Sequence, residues 1–273
     1  MVAREKDIKK PTMAELADKH ELYEQAVQNV TEEVKFFKKT FKKIKGRDAK
    51  VFREDFCGTA SASCEWVRQG DDYTATGVDL CADTLQWGKD NRVSKLDEEE
   101  KARLTLIEGN VLSCPTERAD ILGASNFSYF TFKTRDQLRE YFAAAYENIK
   151  KDGLFFLDCY GGSEAFEEMK EKTKHEDFTY IWHQAEYYPV TGEYVCHIHF
   201  KFPDKSKMKK AFTYEWRLWT LPEIRELLEE AGFRKSTVYW EGSDEDGEGN
   251  GVFEPEAKGE ADAGWIAYIV AEK

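Results

Sequence analysis

The chain is short of several things, and each absence excludes something. No apolar run approaches the ~18 residues a bilayer span requires, and the opening residues MVAREKDIKK carry no apolar signal core. Six cysteines (Cys57, Cys64, Cys81, Cys114, Cys159 and Cys196) include no C-x-x-C pair, so reduced thiols in a cytoplasmic compartment are expected, without membrane contact. Positive charge is in deficit: 40 Lys and Arg face 53 Asp and Glu, a net of −13, which opposes a polyanionic partner such as RNA or DNA. The dinucleotide fingerprint G-x-G-x-x-G is absent, and no internal repeat is visible. What remains is a water-soluble chain of 273 residues, 34% charged and 14% aromatic, long enough for one elaborated domain with many rings to pack.

The most informative stretch runs from Lys50 to Asp79 and parses as strand, tight turn, helix, loop, strand. Val51 to Glu54 is short and mostly apolar, and the small residues Cys57-Gly58-Thr59-Ala60 follow. Ser61 to Gln69 has helical spacing and Gly70 is placed to end it. A second strand, Thr76-Gly77-Val78, runs into Asp79. An acidic residue about 20 positions past a small-residue turn suits a nucleoside ribose held by its two hydroxyls, while the turn lets backbone approach the ligand.

Strands and helices alternate from Lys50 onward, which predicts a parallel sheet covered on both faces. Helical spacing covers residues 13–29 and Thr31 to Lys45, the latter with Val34, Phe37, Phe41 and Ile44 on one face and a solvated lysine face opposite. Further helices are predicted at Ala82–Leu96, Arg135–Lys150 and Leu221–Ala231. Further strands are predicted at Leu104–Ile107, Ala119–Leu122, Leu154–Asp158 (with Gly153 separating it from the helix before), Ser236–Trp240 and Trp265–Val270. Three period-two runs at 178–187, 194–202 and 211–219 predict an antiparallel insert.

This order resembles the class I S-adenosylmethionine-dependent methyltransferases of small-molecule type. Glu54-Asp55-Phe56-Cys57-Gly58-Thr59-Ala60 aligns with their motif I, E/D-x-G-x-G-x-G, keeping the middle glycine and replacing the outer two with Phe56 and Ala60. Asp79 stands at motif II, followed by Leu80. Asn110 and Val111 stand at the adenine contact, and Asn126 at motif IV, where cofactor methionine and substrate meet. LPEIRELLEEAGF is similar to the helix before the family's sixth strand. The resemblance implies an α/β fold, Rossmann-like, with a seven-stranded mostly parallel sheet whose seventh strand is antiparallel beside the sixth. The three-stranded insert, at about 177–219, interrupts a methyltransferase domain at 46–273, and residues 1–45 form an N-terminal helical lid. It also implies S-adenosylmethionine as cofactor, held by Glu54, Phe56, Gly58, Ala60, Asp79, Leu80, Asn110, Val111 and Asn126.

Methyl transfer from a sulfonium is an in-line displacement, so a shaped pocket matters more than a reactive triad. Alternation in the insert puts His183, His197, His199, Lys201, Thr213, Glu215 and Arg217 on a polar face, and an aromatic set including Tyr194, Tyr214 and Trp216 on the other. Tyr129, His197 and Arg217 are the candidate catalytic residues; Tyr23, Arg53, Tyr160, His199, Tyr214 and Glu215 are candidates for the substrate. In one version the polar face meets the substrate; in the other Tyr194, Tyr214 and Trp216 cage an ammonium. Arg53 on a buried strand reads either as an ion pair with Glu54 or Asp55 or as a carboxylate clamp. His197 and His199 lack a third ligand at a usual spacing, and the acidic loop 244–250 has Pro255 where a calcium loop needs Glu, so no metal is expected. The expected activity is methylation of a small polar metabolite, at nitrogen ahead of oxygen or sulfur. A nucleic-acid or protein methyltransferase, or a nucleotide-binding oxidoreductase or sensor, stand as alternatives; the oligomeric state stays open.

Overall fold

A computed structural model describes residues 10–244 and 249–273. Glu245, Asp246, Gly247 and Glu248, the centre of the acidic loop considered above for calcium, lie outside the described residues. Helices α1 (Met13–Leu16), α2 (Lys19–Val27) and α3 (Val30–Lys45) precede strand β1 (Val51–Asp55). Next come α4 (Ser61–Val67), β2 (Thr74–Asp79), α5 (Ala82–Asn91), α6 (Glu98–Ala102), β3 (Leu104–Glu108), β4 (Ala119–Ala124), α7 (Arg135–Asn148) and β5 (Ile149–Gly161). Strands β6 (Met169–Lys174), β7 (Thr179–Tyr188), β8 (Glu193–Lys201) and β9 (Lys207–Arg217) follow, then α8 (Leu221–Glu230), β10 (Lys235–Ser243), β11 (Gly249–Pro255) and β12 (Trp265–Glu272). These elements group into two units, residues 29–166 with 216–273, and residues 10–28 with 167–215.

The larger unit holds an eight-stranded sheet in the order β11-β10-β12-β5-β4-β1-β2-β3. Strands β5, β4, β1, β2 and β3 are parallel, and β12 lies antiparallel between β5 and β10. Every residue of β4 is buried, as a strand covered on both faces must be. Helix α3, capped by Asn29 and ended by left-handed Gly46, puts Val34, Phe37 and Phe41 into a core with Phe52, Trp66, Ile121, Phe156 and Val270. Each such ring contributes roughly 1.5–3 kcal/mol by leaving water. At the amino ends of the strands, buried Asp120 accepts from the Lys50 and Val51 amides, both at 2.9 Å, and from Arg47 and Lys150, tying β4 to β1.

The sequence predicts seven strands here, and the eighth is β11, paired antiparallel to β10 inside the stretch read as a loop. Its two glycines and acidic flanks hide it from propensity. Strand β5 also begins at Ile149 and passes through Gly153 rather than starting after it. A Cβ on Gly153 would sit 3.0 to 3.1 Å from the carbonyl oxygens of Lys150, Ala119 and Asp120, so close approach rather than a break explains that glycine.

The smaller unit is an antiparallel sheet in the order β6-β7-β8-β9, with α1 and α2. It has four strands where three are predicted, because β6 is an exposed edge of sequence MKEKTK without apolar alternation. Leu22 of α2 joins Phe178, Ile198, Phe200 and Phe202, with Tyr23, Tyr180, Trp182, Phe212 and Tyr214 packed around them. The aromatic face of the insert is thus covered by α2. Asp18 breaks the helix predicted over 13–29 by capping the His20 and Glu21 amides. The segment read as one lid, 1–45, divides accordingly: α1 and α2 group with this sheet and α3 with the large one.

Candidate functional site

The carboxyl ends of β1 and β2 build the first half of the site. The turn after β1 takes left-handed backbone at Phe56 (φ 57°), Gly58 (φ 53°) and Ala60 (φ 60°), the three positions at which the motif I pattern has glycine. Non-glycine residues there cost of order 1–3 kcal/mol each, so surrounding contacts must hold them. The Cys57 amide donates to the Val78 carbonyl at 3.0 Å, the Ala60 amide to the Cys57 carbonyl at 2.8 Å, and the Gly58 amide to Oδ2 of Asp79 at 2.7 Å. Oδ1 of Asp79 accepts from the Cys81 amide at 2.8 Å. Helix α5 presses against this turn at Gly88, where a Cβ would lie 2.5 Å from the Thr59 carbonyl oxygen. Leu80, beside Asp79, is 72% exposed, an apolar side chain offered to whatever occupies the strand ends. At the end of β3, Asn110 uses Oδ1 to accept from the Leu112 amide at 3.0 Å, and Val111 is buried.

The ends of β4 and β5 build the second half. Asn126 (φ 58°) and Phe127 (φ 56°) are again left-handed, and both amides donate to Asp158, at 2.6 and 2.8 Å. Glu33 in the first turn of α3 accepts from Ser125 Oγ at 2.5 Å and meets the Tyr268 hydroxyl. Glu54 at the end of β1 accepts from the amide and hydroxyl of Ser63. Burial pushes the Glu54 carboxyl up to about 8 against those bonds, with the Glu33 and Asp79 charges adding to the rise. Burial likewise takes Asp158 to about 7, Glu33 adding to it, and raises Glu33 itself. As whole residues Glu33 and Glu54 are of intermediate burial, while their carboxyl groups are buried. Four carboxyls from α3, β1, β2 and β5 crowded in this way suit a cation.

The remaining predicted residues are placed as follows. Tyr129 is fully buried and donates to the Asp158 carbonyl at 2.7 Å; its place after β4 suggested a cleft, but the ring packs against Phe130 and Phe142 in the core. Tyr160 stands on β5 against the Phe127 and Phe130 rings. Arg53 is buried against Asp55 (Nε to Oδ1, 2.7 Å) and also donates to the Cys114 carbonyl and Thr116, the ion-pair alternative of the two considered. Arg217 braces α8 through Glu223 at 2.9 Å, donates to the Lys133 carbonyl and lies over the Trp219 ring.

In the smaller unit, His197 is 5% exposed and bonded to Thr213, while His199 accepts from the Lys210 amide and meets His183 at 3.2 Å. Burial, then the neighbouring imidazoles of His183 and His197, bring His199 down to about 4, so it is neutral at neutral pH. Glu215 is exposed; Tyr194 is buried, Tyr23 packs on Phe212, and Tyr214 contacts Tyr23. Among the described residues no group of His, Cys, Asp and Glu is arranged to hold a metal ion. No described helix is long and apolar enough to cross a membrane.

Sequence reasoning missed Glu33. Within Thr31-Glu32-Glu33-Val34 it reads as an acid complementing a helix start, and nothing local shows which carboxyl turns inward.

Neither a family model nor a curated protein sequence matches this chain. Solved structures do. An S-adenosylmethionine-dependent methyltransferase from Clostridium acetobutylicum ATCC 824 superposes with TM-score 0.68 at 13% identity, over 93% of this chain and 96% of that one. The amino pentose methyltransferase CalS10 from Micromonospora echinaspora gives 0.65 at 12% identity, over 93% and 95%. The sugar N-methyltransferase KedS8 from Streptoalloteichus gives 0.61 at 12% identity, over 100% and 98%. The chain has the Rossmann-like fold of class I S-adenosylmethionine-dependent methyltransferases.

Proposed function

We propose that this chain is an S-adenosylmethionine-dependent methyltransferase that methylates a small polar metabolite at nitrogen. The observation that carries this reading is the bond between Gly58 and Asp79, which brings the turn after β1 and the acidic end of β2 to one point. The residues there fit the cofactor's chemistry. Asp79 offers a carboxylate to a vicinal diol, Leu80 an exposed apolar face to an adenine, and Asn110 with Val111 an edge and a wall beside it. Glu54 and the left-handed turn at Phe56, Gly58 and Ala60, with Asn126, suit a zwitterionic amino-acid tail, carboxyl to its ammonium and main-chain amides to its carboxylate. When bound, the cofactor supplies a methyl group on a sulfonium, a cation that the carboxyl-lined recess favours. The protein's own part is alignment and exclusion of water, through a preorganised turn and a shaped recess.

Similarity to an amino pentose methyltransferase and a sugar N-methyltransferase supports a small polar amine as acceptor, and the excess of acid over base supports it against a nucleic acid. Calorimetric titration with S-adenosylhomocysteine and, separately, with NAD tests the reading. Saturable 1:1 binding of the former alone is expected; affinity for NAD alone, or for neither, sinks it.

A further inference from the structure

Glu33, Ser125, Asp158 and Tyr268 form a connected group beside Asn126. Ser125 and Asn126 are consecutive, and each fastens one carboxyl: Ser125 Oγ donates to Glu33 and the Asn126 amide to Asp158. Tyr268 on β12 is the direct cross-strand neighbour of Asp158 on β5 and also meets Glu33. Asp158 is committed to the turn, with both oxygens accepting main-chain amides. Glu33 accepts from the Ser125 hydroxyl beside Tyr268, sits on a different element and, as a whole residue, is of intermediate burial. Its partner Ser125 follows β4, which β1 separates from β2 and Asp79.

Resting on the methyltransferase reading, we propose that Glu33 takes the proton from an ammonium acceptor, which makes the substrate a primary or secondary amine and not an alcohol. An ammonium has no lone pair and must lose one proton before it can displace anything. That proton passes to the Glu33 carboxylate; the freed lone pair then forms the N–CH₃ bond as the electron pair of the S–CH₃ bond returns to sulfur. The proton on Glu33 leaves to solvent, and the positive charge has moved from sulfur to nitrogen. A carboxylate can take the proton from an ammonium before the methyl group moves, whereas an alcohol gives up its proton only as it attacks. Burial raises the Glu33 carboxyl, which makes its carboxylate a stronger base than an exposed one. The titratable groups around it are Glu54, Asp158 and Tyr268, the last also close to Glu241.

Sinefungin, the cofactor analogue bearing a protonated amine where the S-methyl stands, probes this point without knowledge of the substrate. Calorimetry of wild type and Glu33→Gln with sinefungin and with S-adenosylhomocysteine is the test. Glu33→Gln is expected to weaken sinefungin about tenfold or more while S-adenosylhomocysteine stays within about twofold, which also shows that the variant is folded. Sinefungin affinity of the wild type is expected to rise with pH as Glu33 ionises, and the slope to shrink in the variant. Glu33→Asp, which keeps the charge on a shorter arm, is expected to weaken sinefungin yet retain the slope. Equal weakening of both ligands assigns Glu33 to the cofactor's own ammonium and overturns the proposal, as does unchanged sinefungin binding. A wild type that binds neither ligand instead removes the methyltransferase reading, and the inference with it.

Discussion

The amide of Gly58 donates to Oδ2 of Asp79 across 2.7 Å, joining a turn to the strand end beside it. One carboxylate therefore fastens the turn after β1 and, through the Cys81 amide, the start of α5.

Asp79→Ala removes that acceptor and the one used by the Cys81 amide. Hydrogen bonds to a charged group are each worth about 1.5–3 kcal/mol, so affinity for S-adenosylhomocysteine is expected to fall by roughly 10- to 100-fold. Calorimetry measures it, and an unchanged affinity in a folded variant would remove Asp79 from the site.

Gly88→Ala tests the contact between α5 and the turn. Its methyl would meet the Thr59 carbonyl at 2.5 Å, so the helix or the turn must shift. A loss of about 1–3 kcal/mol in urea unfolding is expected, with weaker S-adenosylhomocysteine binding because the displaced turn carries Gly58. Stability and affinity both at wild-type values would mean that the two elements can part freely.

The pH dependence of stability follows from the raised carboxyls. Glu54 (about 8) and Asp158 (about 7) hold protons in the folded state that they release when unfolded. Their favourable contribution is complete below the unfolded carboxylate range, and is lost as pH rises from about 4 through 8. The melting temperature is expected to fall over that interval, and Glu54→Gln to flatten part of the fall. A melting temperature that climbs from pH 5 to 8 would contradict the assignment.

Arg53 and Asp55 are each 1% exposed, and Arg53→Met leaves a buried carboxyl bonded to Tyr141 without its cation. Removing one member of a buried pair costs about 3–5 kcal/mol, and the added change Asp55→Asn is expected to recover part of it. Urea unfolding of the single and double variants gives both values; equal stability of wild type and Arg53→Met would mean that the pair contributes nothing net.

How far the sequence reaches depends on how local each feature is. Glu54, Gly58 and Asp79 share one strand-turn-strand unit, so spacing alone brings them together, and the order of strands and helices follows from alternation. Glu33 and Asp158 meet only after α3 has packed on the sheet, and no spacing rule links positions so distant. The left-handed backbone at Phe56 and Ala60 is equally hidden, since neither residue prefers it and tertiary contacts impose it. Strand β11 escaped because pairing with β10, not composition, makes it a strand. Tyr129 misled for the opposite reason: its position suggested a cleft, while its ring and hydroxyl found a core and a carbonyl.

Asp120 gives the sheet a chemical direction. Burial alone would lift its carboxyl, yet the Val51 and Lys50 amides, with Lys150 and Arg47, outweigh that and keep it below its ordinary value. The foot of the sheet is thus fastened by negative charge, while its head stores protons on Glu54 and Asp158. Strong acid undoes the fastening and alkali electrifies the head, so the two extremities of one set of strands answer to opposite ends of the pH scale.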